Sequence, residues 1–413
     1  MTRTHIGTHT LHEVRDHYRQ YLFEEYLPFW NHYGVDHEHG GFFCTLGNDG
    51  TRLEDGKYMW FQGRGLWVYS YLARHFGNEE ALGVARKTAE FLLAHGRDED
   101  GWWVESLEAD GRVAAGPTNR GYESLFVAEG LQAYAAASGD AQAFEVARAS
   151  LKQVVELYRD PSRPVDEAYI PRCYPGMRIL GEYMVLILTL TQMLEQRPDD
   201  AELTALADEM VQGITVKFWS EKYQLMNETL ACDLSRPGND LNEDFCYLGH
   251  GIETMWMTMD EALRRKDRAL FELCAGRFRR HVEVAWDDVY GGLFRSLRVK
   301  TNYFELDKVL WLQEEGLVGC LMLMEHTDDE WAWEWFARIF AWIEAKCALK
   351  PHGYPLYQVS GDRQMTFEPH ANRKENYHHP RCVMRCLLAL ERIIGRGGAV
   401  SPSFQPGGPG GVR

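Results

Sequence analysis

The chain has 413 residues, of which 45% are hydrophobic and 25% charged, and a formal net charge of −17. Those proportions are those of a globular protein with ample core material, long enough for two average domains or one large closed barrel. The acidic balance argues against nucleic acid and anionic membrane surfaces, both of which need basic contacts, and favours a neutral or zwitterionic small molecule.

Aromatic residues make up 13% of the chain, with 13 Trp and 20 Tyr. Such side chains stack on the C–H faces of sugars, although a large core accounts for most of them. The nine cysteines include no zinc-type C-x-x-C pair, which leads us to expect free thiols in a reducing cytoplasm. The first twenty residues contain no apolar h-region, so no signal peptide is expected. No apolar run approaches the ~18 residues that span a bilayer. The expected location is cytoplasmic.

In chain order, apolar residues at i, i+3, i+4 and i+7 predict helices at 11–33, 58–77, 79–96, 118–138, 140–159 and 178–196. The series continues at 199–217, 244–265, 266–284, 308–326, 328–347 and 378–396. Between helix pairs lie glycine-aromatic segments at 37–46, 98–107, 287–297 and 351–360, each predicting a short hairpin. Gly41 to Gly101 is 60 residues, and Gly292 to Gly353 is 61. A further hairpin is placed by the period at 222–230, whereas 161–165 offers only a proline-broken loop.

A period of this size marks stacked units that bury their faces on one another. Six pairs without a polar capping repeat favour closure into a ring. The expected fold is therefore all-α, an (α/α)6 barrel with short hairpins at one end, formed by residues 1–396. The Gly/Pro-rich stretch 397–413 is expected to be disordered. An open superhelical binding scaffold is the structural alternative.

Unusual polar residues recur near the start of one helix in each pair: Arg64, Glu123, His250 with Glu253, Glu315, and His378 with Arg381. Their separations of 59, 127, 65 and 63 residues follow the repeat, so a closed ring brings them together at one end of its cavity. Taken singly, each has an ordinary reading as a helix-face or core residue. The third unit has Met184 at the equivalent place and no titratable group in phase. His37 and His39 flank Glu38 on a predicted turn, a weak ligand set, and no metal is expected.

The segments KYMWFQGRGLWVY, GHGIETMW, KVLWLQEEGL and YHHPRCVMRC resemble, in order, motifs of the N-acylglucosamine 2-epimerase family. The likeness runs from about Asp36 to Arg392. It implies a cytoplasmic enzyme, often a homodimer, that interconverts N-acetylglucosamine and N-acetylmannosamine. It implies no metal or redox cofactor, with ATP as a possible effector. It assigns His250 and His378 to proton transfer, and Arg64, Glu123, Glu253, Glu315, Arg381, Trp311, Tyr58 and Gln313 to the sugar. Gln313 departs from the acylglucosamine pattern and resembles the family's cellobiose epimerases and mannose isomerases. The cellobiose epimerases in turn carry a His on the third inner helix, where Met184 stands.

Inverting carbon 2 of a reducing sugar means removing a proton from one face and returning one to the other. A group with an ordinary pKa near 6.5 serves as either base or acid at neutral pH. Arg64 and Arg381 are expected to stabilise the developing oxyanion, and Glu253, one turn from His250, to orient that imidazole. Delivery of the proton to carbon 1 would give aldose–ketose isomerisation of unacylated sugars instead. An (α/α)6 glycoside hydrolase using two of the carboxylates, and a non-catalytic sugar-binding repeat protein, are the competing readings.

Overall fold

Five helices open on an Asx side chain that accepts hydrogen bonds from the first turn: Glu79–His95 on Asn78, Ala141–Arg159 on Asp140, Ala201–Gln212 on Asp200, Arg268–Ala285 on Asp267, and Glu330–Lys346 on Asp329. These caps satisfy amide groups that a helix start leaves free. A sixth, Leu11–Gln20, starts with a full capping box on Thr10 and Glu13 and runs on through π-turns to residue 34. All six form an outer layer.

The inner layer is built differently. Met59–Phe76, Arg120–Ser138, Leu180–Gln196, Leu248–Arg265, Leu310–His326 and His378–Gly395 are buried on nearly every face, as expected of surrounded helices. In Leu310–His326 only Trp311 and His326 escape full burial. Each inner helix packs on the next and the last packs on the first, closing the ring. Gly63 and Gly130 let Met59–Phe76 and Arg120–Ser138 touch backbone to backbone, since a Cβ on either would lie 2.3–2.4 Å from a carbonyl of the other.

This computed structural model describes residues 3–117, 120–358, 374 and 376–404. Its helices match the predicted twelve to within a few residues, and the expected (α/α)6 barrel stands. Two points of arrangement emerge only in three dimensions. The N-terminal helix is the outer partner of the last inner helix, so the two ends of the chain clasp the ring. The tail, expected to be disordered from 397, is in fact laid against the barrel as far as Phe404: the Ser401 amide donates to Glu325 O at 2.8 Å and Phe404 packs edge-on against Phe271. Residues 359–360 of the predicted hairpin, 118–119 of a predicted helix and 405–413 of the tail lie outside the described residues.

The predicted hairpins are present as antiparallel bridges, Val35 with Phe42, Arg97 with Trp103, Trp286 with Leu293, Ala348 with Tyr357, and Trp219–Ser220 with Leu225–Met226. The first and fifth units share a buried anchor. Lys57 Nζ bonds Asp36 at 2.7 Å, and Lys308 Nζ bonds Asp287 at 2.5 Å. Where 161–165 breaks the pattern there is no hairpin. Arg163 instead bonds Glu182 at 2.7 Å and the Met177 carbonyl at 2.8 Å, fixing the long loop that precedes the third inner helix. All nine cysteines are free thiols, seven of them buried. Among the described residues no helix is long and apolar enough to cross a membrane.

Candidate active site

The six inner helices run parallel, so their N-termini gather at one end of the ring. Unlike the outer helices, those that open on Tyr58, Tyr247, Val309 and Tyr377 have no side-chain cap. Two first-turn amides donate to loop carbonyls, Met59 to Glu105 and Gly249 to Arg295, and the positive ends of the helix dipoles are gathered at this end of the ring. The residues expected from the repeat lie within the first two turns of five of the inner helices.

Two imidazoles flank Trp311. Its indole centroid lies 6.1 Å from the ring of His250 and 5.4 Å from that of His378. Gly249 makes room for the indole, since a Cβ there would come within 2.5 Å of it. On the His250 side, Nδ1 lies 2.8 Å from Glu228 Oε1. The Tyr169 hydroxyl donates to the same oxygen at 3.2 Å, and its ring meets the imidazole edge-on. Tyr247 covers the other face at 4.3 Å. On the His378 side, Nδ1 lies 2.9 Å from Glu315 Oε1. In each case a carboxylate holds Nδ1–H, which makes Nε2 the basic nitrogen.

Glu228 was not expected, and Glu253 does not do what was expected of it. Glu253 Oε1 accepts from Arg381 at 2.7 Å and lies 3.7 Å from His378 Nδ1, so it serves the opposite histidine. Arg381 also departs from its expected sugar contact. It is completely buried, with bonds to Glu253, to Glu315 at 2.6 Å and to the Tyr377 hydroxyl at 2.8 Å. Tyr377 in turn bonds Glu129. Arg381 therefore holds the His378 side together from behind.

The charges follow from these contacts. Burial works to raise the Glu315 pKa, but Arg381 and His378 overcome it and hold the carboxyl down at about 2. Burial works to lower the His250 pKa, and Glu228 overcomes it, leaving the imidazole above its ordinary value. Glu123 lacks such a partner: burial pushes it up to about 7, and its Oε2 is buried with no hydrogen bond.

Arg64 occupies an aromatic cage, 4.0 Å from the Phe126 ring, 4.9 Å from Trp60 and 5.0 Å from Tyr377, and Nη2 donates to the Tyr122 hydroxyl at 3.1 Å. Among the described residues no carboxylate pairs with it, which leaves its charge for an oxyanion. Tyr58 stands on the strand before that helix, 36% exposed. Gln313 is a correction. It is fully buried, its amide group exchanging two bonds with the backbone of Leu293, just as Gln62 does with Phe42. It braces a hairpin and does not face the cavity.

Glu253, Glu315 and His378 lie close enough to share a metal ion. The Arg381 guanidinium already occupies the carboxylate oxygens such an ion would use. The same shared arginine counts against a hydrolase, which needs its acid and its carboxylate on opposite sides of the scissile bond.

Gly181 sets the position of His250, because a Cβ there would meet the imidazole Cε1 at 3.0 Å. Gly181→Ala is expected to displace the ring by a few tenths of an ångström and to lower kcat about tenfold. The thermal midpoint should stay within a few degrees, a result that steady-state kinetics and a melt check together.

A profile of one family, described as N-acylglucosamine 2-epimerase (GlcNAc 2-epimerase), matches residues 40–382. The N-acylglucosamine 2-epimerase of Bos taurus is 24% identical over 402 residues, covering 93% of both chains. Among solved structures, the cellobiose 2-epimerase of Spirochaeta thermophila superposes with a TM-score of 0.78 at 18% identity, covering 93% of this chain and 98% of that one. A D-mannose isomerase superposes at 0.74 and 16% identity, covering 91% and 97%. The last two likenesses are likenesses of fold.

Proposed function

We propose, for a chain that belongs to the N-acylglucosamine 2-epimerase family and is an isomerase-class enzyme, that it interconverts N-acetyl-D-glucosamine and N-acetyl-D-mannosamine by moving the proton at carbon 2. The observation that carries the reading is the pair of carboxylate-held imidazoles on either side of Trp311. A ring-opened sugar packed against that indole presents one face of carbon 2 to each histidine. The neutral member of the pair removes the proton through Nε2, and the protonated member returns one to the opposite face. Arg64 and the uncapped helix starts stabilise the negative charge that collects on the carbonyl oxygen between the two steps. His250 and His378 act as the acid–base pair, with Glu228 and Glu315 fixing their tautomers.

A second reading rests on the likeness to the cellobiose 2-epimerase and the D-mannose isomerase. The same two histidines would act on an unacylated sugar, with epimerisation or aldose–ketose isomerisation decided by the carbon that receives the proton. The deciding assay is proton NMR in D2O with N-acetylglucosamine, N-acetylmannosamine, mannose, glucose and cellobiose in separate tubes. Loss of the C2 proton signal and a new epimer from the acetylated sugars alone supports the proposal. Turnover of the free sugars alone replaces the substrate and keeps the chemistry. No exchange with any of them overturns both readings.

The Glu228 contact gives a signed pH dependence. That carboxylate favours the imidazolium form of His250, so removing its charge lowers the His250 pKa. In Glu228→Gln the limb of the kcat/KM profile that titrates with His250 should move toward lower pH, with the maximum reduced about 10- to 100-fold. An unmoved limb would mean that Glu228 does not tune this histidine.

A further inference from the structure

A cavity separate from the space between the histidines is also present. It lies at the other end of the ring, among the C-terminal turns of the inner helices, and holds about 400 Å³. That is the size of a small-molecule site. Trp67, Gln192 and Met322 contribute to its walls, and the segment Ser401–Pro402–Ser403 folds across it.

Its charge is opposite in sign to that of the protein. Five cationic side chains line it, Arg74, Lys266, Arg385, Arg392 and Arg396, against three carboxylates, Glu195, Asp260 and Glu325. The chain as a whole carries −17. Three of the cations are already engaged: Arg385 bonds Asp260 at 2.7 Å, Arg392 forks onto both oxygens of Glu325, and Arg396 joins that carboxylate at 3.1 Å. Arg74 and Lys266, exposed at the rim, have no carboxylate partner among the described residues. Lys266 stands in the left-handed backbone region at φ +59°, at a helix end where glycine is the usual residue. The excess of positive charge is felt within the cavity: burial, with Arg74, Arg385 and Arg392, pushes His75 down to about 4.

We propose that this cavity is a second binding site, separate from the sugar site, for a compact polyanion bearing phosphate or carboxylate groups. Arg74 and Lys266 would make the charged contacts at the mouth, and the Ser401 and Ser403 hydroxyls, 2.8 Å apart on the covering segment, would donate from above. The simpler account is that these cations only offset the negative ends of six converging helices. That account predicts no ligand.

Isothermal titration calorimetry on the whole chain, with pyrophosphate and citrate as probes and saturating sugar in both cell and syringe, separates the two. The expected result is one saturable site, undiminished by the sugar, whose Kd rises about tenfold or more in Arg74→Gln/Lys266→Gly. Glycine is the favoured residue at the strained position, so folding should be retained, and sugar turnover should be unchanged. Tighter binding of pyrophosphate assigns phosphate-bearing ligands, and tighter binding of citrate assigns polycarboxylates. Absence of saturable binding overturns the proposal, as does binding that the sugar displaces or that the double variant leaves intact.

Discussion

In the His378→Asn variant, turnover of the sugar is expected to fall by about 10³- to 10⁴-fold, the contribution of a positioned acid–base group. Asparagine is close in shape to half an imidazole and keeps a donor near Glu315, so the fold should survive. The informative measurement is not turnover alone. With one face of carbon 2 still served by His250, the variant started from one epimer should exchange its C2 proton with D2O without forming the other. Started from the second epimer it should do neither. His250→Asn should show the mirror pattern. Equal residual exchange from both epimers in either variant would sink the two-histidine assignment.

The second large effect is on stability. Arg381→Met leaves Glu253 and Glu315 buried beside each other with only the His378 imidazole between them, and takes a partner from Tyr377. Breaking one side of a buried ionic cluster costs about 3–5 kcal/mol, well above the effect of an ordinary surface change. Urea unfolding should report that loss as a lower midpoint. Adding Glu253→Gln to the same chain should recover part of it, because one of the stranded charges is gone. If Arg381→Met unfolds at the wild-type midpoint, the cluster is not what holds this end of the ring together.

Most of the architecture was legible because it is periodic. The helices follow from apolar spacing, and the convergence of Arg64, Glu123, His250, Glu315 and His378 follows from their common phase. The sequence also holds a sharper signal. Asp36 and Asp287, Gly41 and Gly292, Lys57 and Lys308, and Gln62 and Gln313 are each 251 residues apart. Read together they describe one hairpin anchor repeated in the first and fifth units, which marks Gln313 as structural. Arg64 and Glu315 share that separation, and so occupy the same cavity-facing position with opposite charge.

What stayed hidden lies off the repeat. Glu228 comes from the strand region after a hairpin, and Tyr169 from the loop that replaces a missing hairpin. No helical phase relates either to His250. Nothing in the spacing of Glu253 and His250 says that the carboxylate turns toward the last helix, because that choice is made by a guanidinium 128 residues away.

The clasp between the first and last helices bears on the order in which the molecule can be made. A chain emerging from the ribosome presents residues 11–34 first, with Leu11, Val14, Tyr18, Tyr21 and Leu22 ready for burial. Much of the surface they bury against, in residues 378–395, is synthesised after the other helices of the ring. Every other outer helix follows its inner partner directly and can dock as it appears. The nascent protein thus carries one unpaired apolar face while the rest of the ring is made, and closing it is a long-range step that comes after the local ones.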